Sequence, residues 1–185
     1  MRKIILIGLL FFSFNINAQD NHFKFDQDVL SHNIKIAHNF EKSKFYNKNI
    51  KFESSGEKIY FSNKNNDQIL ILDFCCGGSS LNVQRIIVTT PNRLAYGRLI
   101  NKLNVEKFIT QNQNFIGMHY ADFVKNMGVP KKQYNDKDSL ILKYYTEDQN
   151  SPLLRNNNMP SYYALYKFNK QSKILTGFEF GFSDI

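Results

Sequence analysis

Cys75 and Cys76 are the chain's two thiols, and they are adjacent. Neighbours in an extended segment point to opposite faces. An ordinary disulfide needs Cα atoms roughly 4.4–6.8 Å apart, so a bond between the two demands a tight, distorted ring. Three outcomes stay open: a vicinal, redox-active pair; one buried and one turn thiol, both inert; or a bridge to another molecule. His32 and His38 stand six residues apart, not the three or four that put two ligands on one helix face. No third ligand lies near them in sequence, so no metal is expected. Gly77-Gly78-Ser79-Ser80 has the composition of a phosphate loop but neither its lysine nor a following helix. No Gly-x-Ser-x-Gly elbow frames Ser79 or Ser80. Helix punctuation accounts for His119, Tyr120 and Asp122, and a turn for Asp136 and Asp138. No carboxylate pair has a framing motif for glycoside or metal chemistry. The expectation is therefore no catalytic residue, no metal and no cofactor.

The start of the chain gives an address. Arg2 and Lys3 precede an apolar run from Ile4 to Phe14, and a polar end closes on Ala18. This pattern predicts an export signal over residues 1–18, cleaved before Gln19, because the apolar run is too short to span a bilayer. No stop-transfer stretch follows, and no cysteine sits at the cleavage site. The expected product is periplasmic or secreted, with no transmembrane anchor. The formal net charge is +8, of which Arg2 and Lys3 contribute two. The remaining basic residues are scattered, which gives nucleic-acid binding little support.

The positioning elements are read next. Asp26 to Phe45 carries Val29, Ile36 and Phe40 near helical spacing, and it predicts a helix capped by Asp26 or Asp28. From Ile50 the pattern turns to strands: Ile50–Glu53, Lys58–Phe61, Gln68–Phe74 and Leu81–Thr90, a four-stranded antiparallel meander. Arg93–Leu103 reads as a connector. Val105–Gln111 predicts a short helix. A second helix follows Gly117-Met118, ends at Gly128 and cannot resume past Pro130. Leu140–Thr146, Ser161–Phe168 and Lys173–Phe182 are three further strands. Glu147–Pro160 reads as a long loop. The fold class is α+β with antiparallel sheets. Residues 19–103 supply a helix and a meander, and residues 104–185 a helix-helix-three-strand module.

The order helix, Gly-Met, helix, Gly-x-Pro, three strands rests on Ile116-Gly117-Met118, Asp122-Phe123, Gly128-Val129-Pro130, Leu142-Lys143-Tyr144, Tyr166-Lys167-Phe168 and Lys173-Ile174-Leu175. Over roughly Val105 to Phe182 it resembles the outer-membrane assembly lipoprotein BamE (SmpA/OmlA) and the beta-lactamase inhibitor protein superfamily. The resemblance implies two short helices on one face of a three-stranded sheet, and a binding module, not an enzyme. His119 stands where that group has serine or threonine after Gly-Met, and the lipid anchor of the assembly lipoproteins is absent.

In such a module one sheet face is free. If Ile174, Phe178 and Phe180 face the helices, alternation puts Glu179 on the free side, and Lys143, Tyr145, Tyr162 and Tyr166 can be registered there with it. Tyrosines beside a lysine and a glutamate suit protein recognition, since they give large contact area at low entropic cost. The functional expectation is an exported, non-catalytic protein-binding module, inhibitor- or immunity-like. The alternatives are an envelope-maintenance accessory and, third, a small secreted enzyme with a site assembled from distant residues.

Overall fold

The structure is a computed structural model; it describes residues 23–53, 55, 57–74, 81–91 and 99–183. In chain order the strands are β1 (Asp28–Val29), β2 (Ile34–Lys35), β3 (Lys58–Ser62), β4 (Ile69–Phe74), β5 (Val83–Thr89), β6 (Ile100–Lys102), β7 (Lys132–Asp136), β8 (Ser139–Thr146), β9 (Ser161–Asn169) and β10 (Leu175–Ser183). Helix α1 spans Tyr120–Met127 and α2 spans Pro152–Asn157, with a 3-10 turn at Phe40–Lys42.

Eight of the strands form one sheet in the order β6-β3-β4-β5-β10-β9-β8-β7. All neighbours are antiparallel except β3 and β6. Two hairpin meanders, β3-β4-β5 and β8-β9-β10, meet through their last strands, with Phe178 opposite Val88 and Phe180 opposite Ile86. The boundary expected near residue 103 falls between β6 and α1, and the sheet is continuous across it.

Alternation sorts the side chains. Leu70, Leu72, Ile86, Val88, Phe178, Phe180, Tyr166 and Phe168 point to one face and join a single core. Over the C-terminal half that face is covered by α1 and by the lead segment, residues 23–26. Phe123 of α1 packs 4.5 Å from the Tyr166 ring and 5.2 Å from the Phe168 ring. Phe23 lies 5.2 Å from Tyr144, and Phe25 lies 5.1 Å from Tyr162. Over the N-terminal half the cover is the 3-10 turn, whose Phe40 sits 5.8 Å from Phe61 and 6.2 Å from Phe74. Burying each such ring contributes about 1.5–3 kcal/mol.

Helix α1 follows its punctuation. His119 is the N-cap, its Nδ1 accepting from the Ala121 N–H at 3.3 Å. Gly128 ends the helix at φ 87°, a value that favours glycine, and its N–H donates to the Val124 carbonyl at 2.9 Å.

The α+β expectation with its helix-helix-three-strand module is overturned: the protein is mostly β, 42% strand against 12% helix, built on a large mixed sheet. Val105–Gln111 is not helical. Its Phe108 is buried, with the backbone N–H held by Gln68 Oε1 at 3.0 Å. Asp26–Phe45 is not a helix either. Leu30, Ser31, His32 and Ala37 have φ between 55° and 68°, outside helical space. Local side-chain bonds compete there: Asp28 Oδ1 and Oδ2 accept from the His32 N–H and face its Nδ1 at 3.3 and 2.6 Å, and Asn33 Nδ2 donates to the Leu30 carbonyl at 2.6 Å. The first expected strand, Ile50–Glu53, shrinks to one bridge, Phe52 to Ile59. The expected loop 147–160 contains α2, which starts on Pro152, buries Leu153 and Leu154, and stops at Asn158 in the left-handed conformation. Among the described residues no helix is long and apolar enough to cross a membrane.

Candidate functional site

The face opposite the core carries a groove over the middle of the sheet. Its floor is β10, which turns Gly177, Glu179 and Gly181 outward between Phe178, Phe180 and Phe182. Gly181 is required by close approach: a Cβ there would meet the Gln84 carbonyl oxygen at 2.5 Å and the Arg85 Cα at 2.9 Å. The larger depression has a volume of about 780 Å³ and is bordered by Asp73, Arg85, Tyr163, Lys143, Tyr145 and Glu179, among others. A smaller one of about 310 Å³ adjoins it through Leu165 and Glu179 and is walled by Tyr134, Asp136 and Ile141.

Cross-strand register builds the two walls. On one side Asp73 of β4 stands opposite Arg85 of β5. Arg85 Nε donates to Asp73 Oδ2 at 3.1 Å, a second guanidinium nitrogen donates to the same oxygen, and Nη1 reaches the Tyr163 hydroxyl at 3.5 Å. On the other side Lys143 of β8 stands opposite Lys132 of β7. Their ammonium groups lie 5.5 and 5.6 Å from the centre of the Tyr145 ring, within cation–π range. Burial pushes the Glu179 carboxyl above its ordinary range, and the Arg85 guanidinium and Tyr163 hydroxyl offset part of that. Burial likewise raises the Tyr163 hydroxyl, with Glu179 adding to the effect.

Of the residues expected at a binding face, Lys143, Tyr145 and Glu179 share the groove. Tyr162 and Tyr166 do not belong with them. Both are on the core side, 1% and 0% exposed. The Tyr162 hydroxyl donates to the Asp26 backbone carbonyl at 2.6 Å, and the Tyr166 hydroxyl donates to Asp26 Oδ2 at 2.5 Å. Tyr144 pairs with Ala164 and Tyr145 with Tyr163, so the outward residues of β9 are Tyr163, Leu165 and Lys167. Reading β9 one residue out of register exchanged its faces. The groove residues missed in the sequence include Asp73, Arg85, Lys132, Tyr134 and Tyr163. The alternation Tyr163, Leu165, Lys167 was the available signal for the last of these. The Asp73–Arg85 pair could be seen only from the β4–β5 register. Cys75 and Cys76, and the expected export signal over 1–18, lie outside the described residues.

Asp26 itself is fully buried. Besides Tyr166, its carboxylate accepts from Asn114 Nδ2 at 2.7 Å and Asn112 Nδ2 at 2.9 Å. Burial raises its pKa, and these hydrogen bonds work the other way. The network ties the lead segment to β9 and to the 110–114 loop.

The chemistry available in the groove is limited. His32 and His38 lie in a separate hollow, and His119 caps α1. Asp73 is engaged by Arg85, and the other carboxyls bordering the two depressions are Glu147, Asp136 and Glu179. Among the described residues no cluster of three His, Cys, Asp or Glu side chains could hold a metal ion. No family model matches the chain. No curated protein is detectably similar to it. No solved structure matches its fold.

Proposed function

We propose that this chain is a non-catalytic protein-binding module that acts outside the cytoplasm and docks a protein partner on the groove face of its large sheet. The observation that carries the reading is the asymmetry of the sheet across its C-terminal half. One face is sealed by α1 and the lead segment. The other presents Tyr134, Tyr145 and Tyr163 among Lys132, Lys143, Arg85 and Glu179 along one shallow groove. Small-molecule sites are mostly apolar and enclosed, whereas the larger depression is lined mostly by polar and charged groups, the apolar Ile87, Ile141 and Leu165 being confined to the smaller one or its border. Tyrosine and arginine dominate the energetics of protein interfaces.

The test is affinity capture from an envelope extract with mass spectrometry, repeated with Tyr145→Ala, Tyr163→Ala and, as a distant control, Lys64→Ala. The two groove variants are expected to lower recovery of the same partner about tenfold, and the control to leave it unchanged. Equal recovery by all three would remove the groove from the account.

A further inference from the structure

We propose that β7 is a self-pairing edge, and that two copies of this chain join through it antiparallel about a two-fold axis at Tyr134. On one side β7 pairs with β8; its other side is hydrogen-bonded to no other described segment, and all its residues are exposed. The opposite edge of the sheet is different. There β6 is three residues long, and its Asn101 side chain exchanges hydrogen bonds with the Lys51 N–H and carbonyl at 2.9 and 3.0 Å.

A bare edge is normally blunted by charge or proline. Pro130, Lys131 and Lys132 do this at the entrance to β7. The sequence Lys132-Gln133-Tyr134-Asn135-Asp136, however, is complementary to its own reverse. With Tyr134 on the axis, Lys132 faces Asp136 of the partner subunit, Gln133 faces Asn135 of the partner subunit, and Tyr134 faces its counterpart. Opposite charges, paired amides and paired aromatics are each favourable directly across an antiparallel pair. Lys132, Tyr134 and Asp136 all lie on the groove face, so both ion pairs form on one side of the joined sheet. Sliding the register by two residues puts Asp136 opposite Pro130 or Tyr134; in the second case Lys132 meets Asp138 of the partner subunit, which lies in the turn beyond the strand and outside the ladder. Neither Lys132 nor Asp136 has an ion-pair partner among the described residues. Two of the large hydrophobic residues most exposed in the described chain, Tyr134 at 47% and Val129 at 56%, lie in or just before this strand.

The interface has consequences for the groove. Lys132 borders the larger depression, and Tyr134 and Asp136 border the smaller. Pairing brings Asp136 of the partner subunit to the rim beside Lys132 and sets two grooves side by side on one continuous face. Strands this short bury an area at the low end for specific contacts, so association on the order of 10 µM is expected.

Sedimentation equilibrium of the purified protein from about 5 to about 200 µM brackets that affinity. The mass is expected to rise from one copy to two and stop, because a two-fold contact closes. A single-copy mass throughout, or open-ended growth, overturns the proposal. Lys132→Asp and Asp136→Lys each replace both ion pairs by like charges, and each is expected to weaken the dimer about tenfold or more. The double variant K132D/D136K restores opposite charges and is expected to return within about threefold of the parent. Dimers indifferent to the single changes, or not rescued by the double, rule out this register. Hydrogen exchange reads the same contact without substitution. Outward β7 amides are expected to gain protection as concentration rises, and no gain counts against the proposal.

Discussion

Removing the Tyr166 hydroxyl strips one donor from a carboxylate that water cannot reach. Asp26 keeps Asn112 and Asn114, but the lost bond was its shortest. A buried acceptor deprived of a partner costs about 1–3 kcal/mol, so Tyr166→Phe is expected to lower urea stability by that amount. Tyr145→Phe, on the groove face, is expected to change it by less than about 0.5 kcal/mol. Equal midpoints for the two variants would mean that the Asp26 network does not hold the lead segment in place. The second case is Glu179, whose carboxyl burial raises. A carboxyl with a folded pKa above its unfolded value holds its proton more tightly when folded. Its contribution to stability therefore declines as pH climbs from the ordinary carboxylate range through the raised value. Glu179→Gln removes that decline. The variant's melting temperature relative to the parent is expected to improve between about pH 4 and about pH 8, and a constant difference would contradict the burial account.

At the scale of elements, the join between β5 and β10 depends on glycine. At Gly181 an added methyl group meets a backbone oxygen at 2.5 Å, and backbone cannot swing aside; at Gly177 the nearest atom is 3.2 Å away. Gly181→Ala is expected to cost about 1–3 kcal/mol and Gly177→Ala less, measured by chemical denaturation; the reverse order would mean that the strands separate more easily than their packing implies. The strands were legible because alternation is a period-two signal that survives wherever one face is buried. The alternation of Phe178, Phe180 and Phe182 locates β10 and by itself puts Glu179 on the open face. The covering layer was not legible. Val29, Ile36 and Phe40 are core residues at helical spacing, but irregular chain laid across a sheet also drops an apolar residue into it every few positions, and the side-chain bonds of Asp28 and Asn33 kept that chain out of a helix. Strand β7 left no alternation to read, since all its residues are exposed. Tyr162 and Tyr166 were misplaced for a local reason: β9 carries tyrosine on both faces, at 162 and 163, so aromatic type alone could not choose the register.

At the scale of the whole molecule, the two meanders share one main core, to which the N-terminal meander adds a small cluster of Tyr60, Ile69 and Ile71 on the other face. Ile86 and Val88 of β5 and Phe178 and Phe180 of β10 sit side by side under the same covering layer. The lead segment, which precedes every strand, divides its hydrogen bonds among α1, β9 and the 110–114 loop: Lys24 N–H donates to the Met127 carbonyl at 3.1 Å, Asp26 engages Tyr162 and Tyr166, and Gln111 Nε2 donates to the Phe25 carbonyl at 2.7 Å. Opening either half therefore exposes apolar surface of the other. That arrangement should unfold in one step, as small single domains usually do. Native-state hydrogen exchange is the direct check, because subglobal opening shows as amides with less protection than the global limit. Amides of β4 and β5 are expected to share the slowest exchange class with those of β9 and β10, and a rise in denaturant should bring them together on one line. If β9 and β10 kept protection while β4 and β5 exchanged freely, the C-terminal meander would be a folding unit by itself. The sheet-wide groove would then be a surface assembled from two parts, and Gly181→Ala would weaken partner capture without lowering the stability of the C-terminal half.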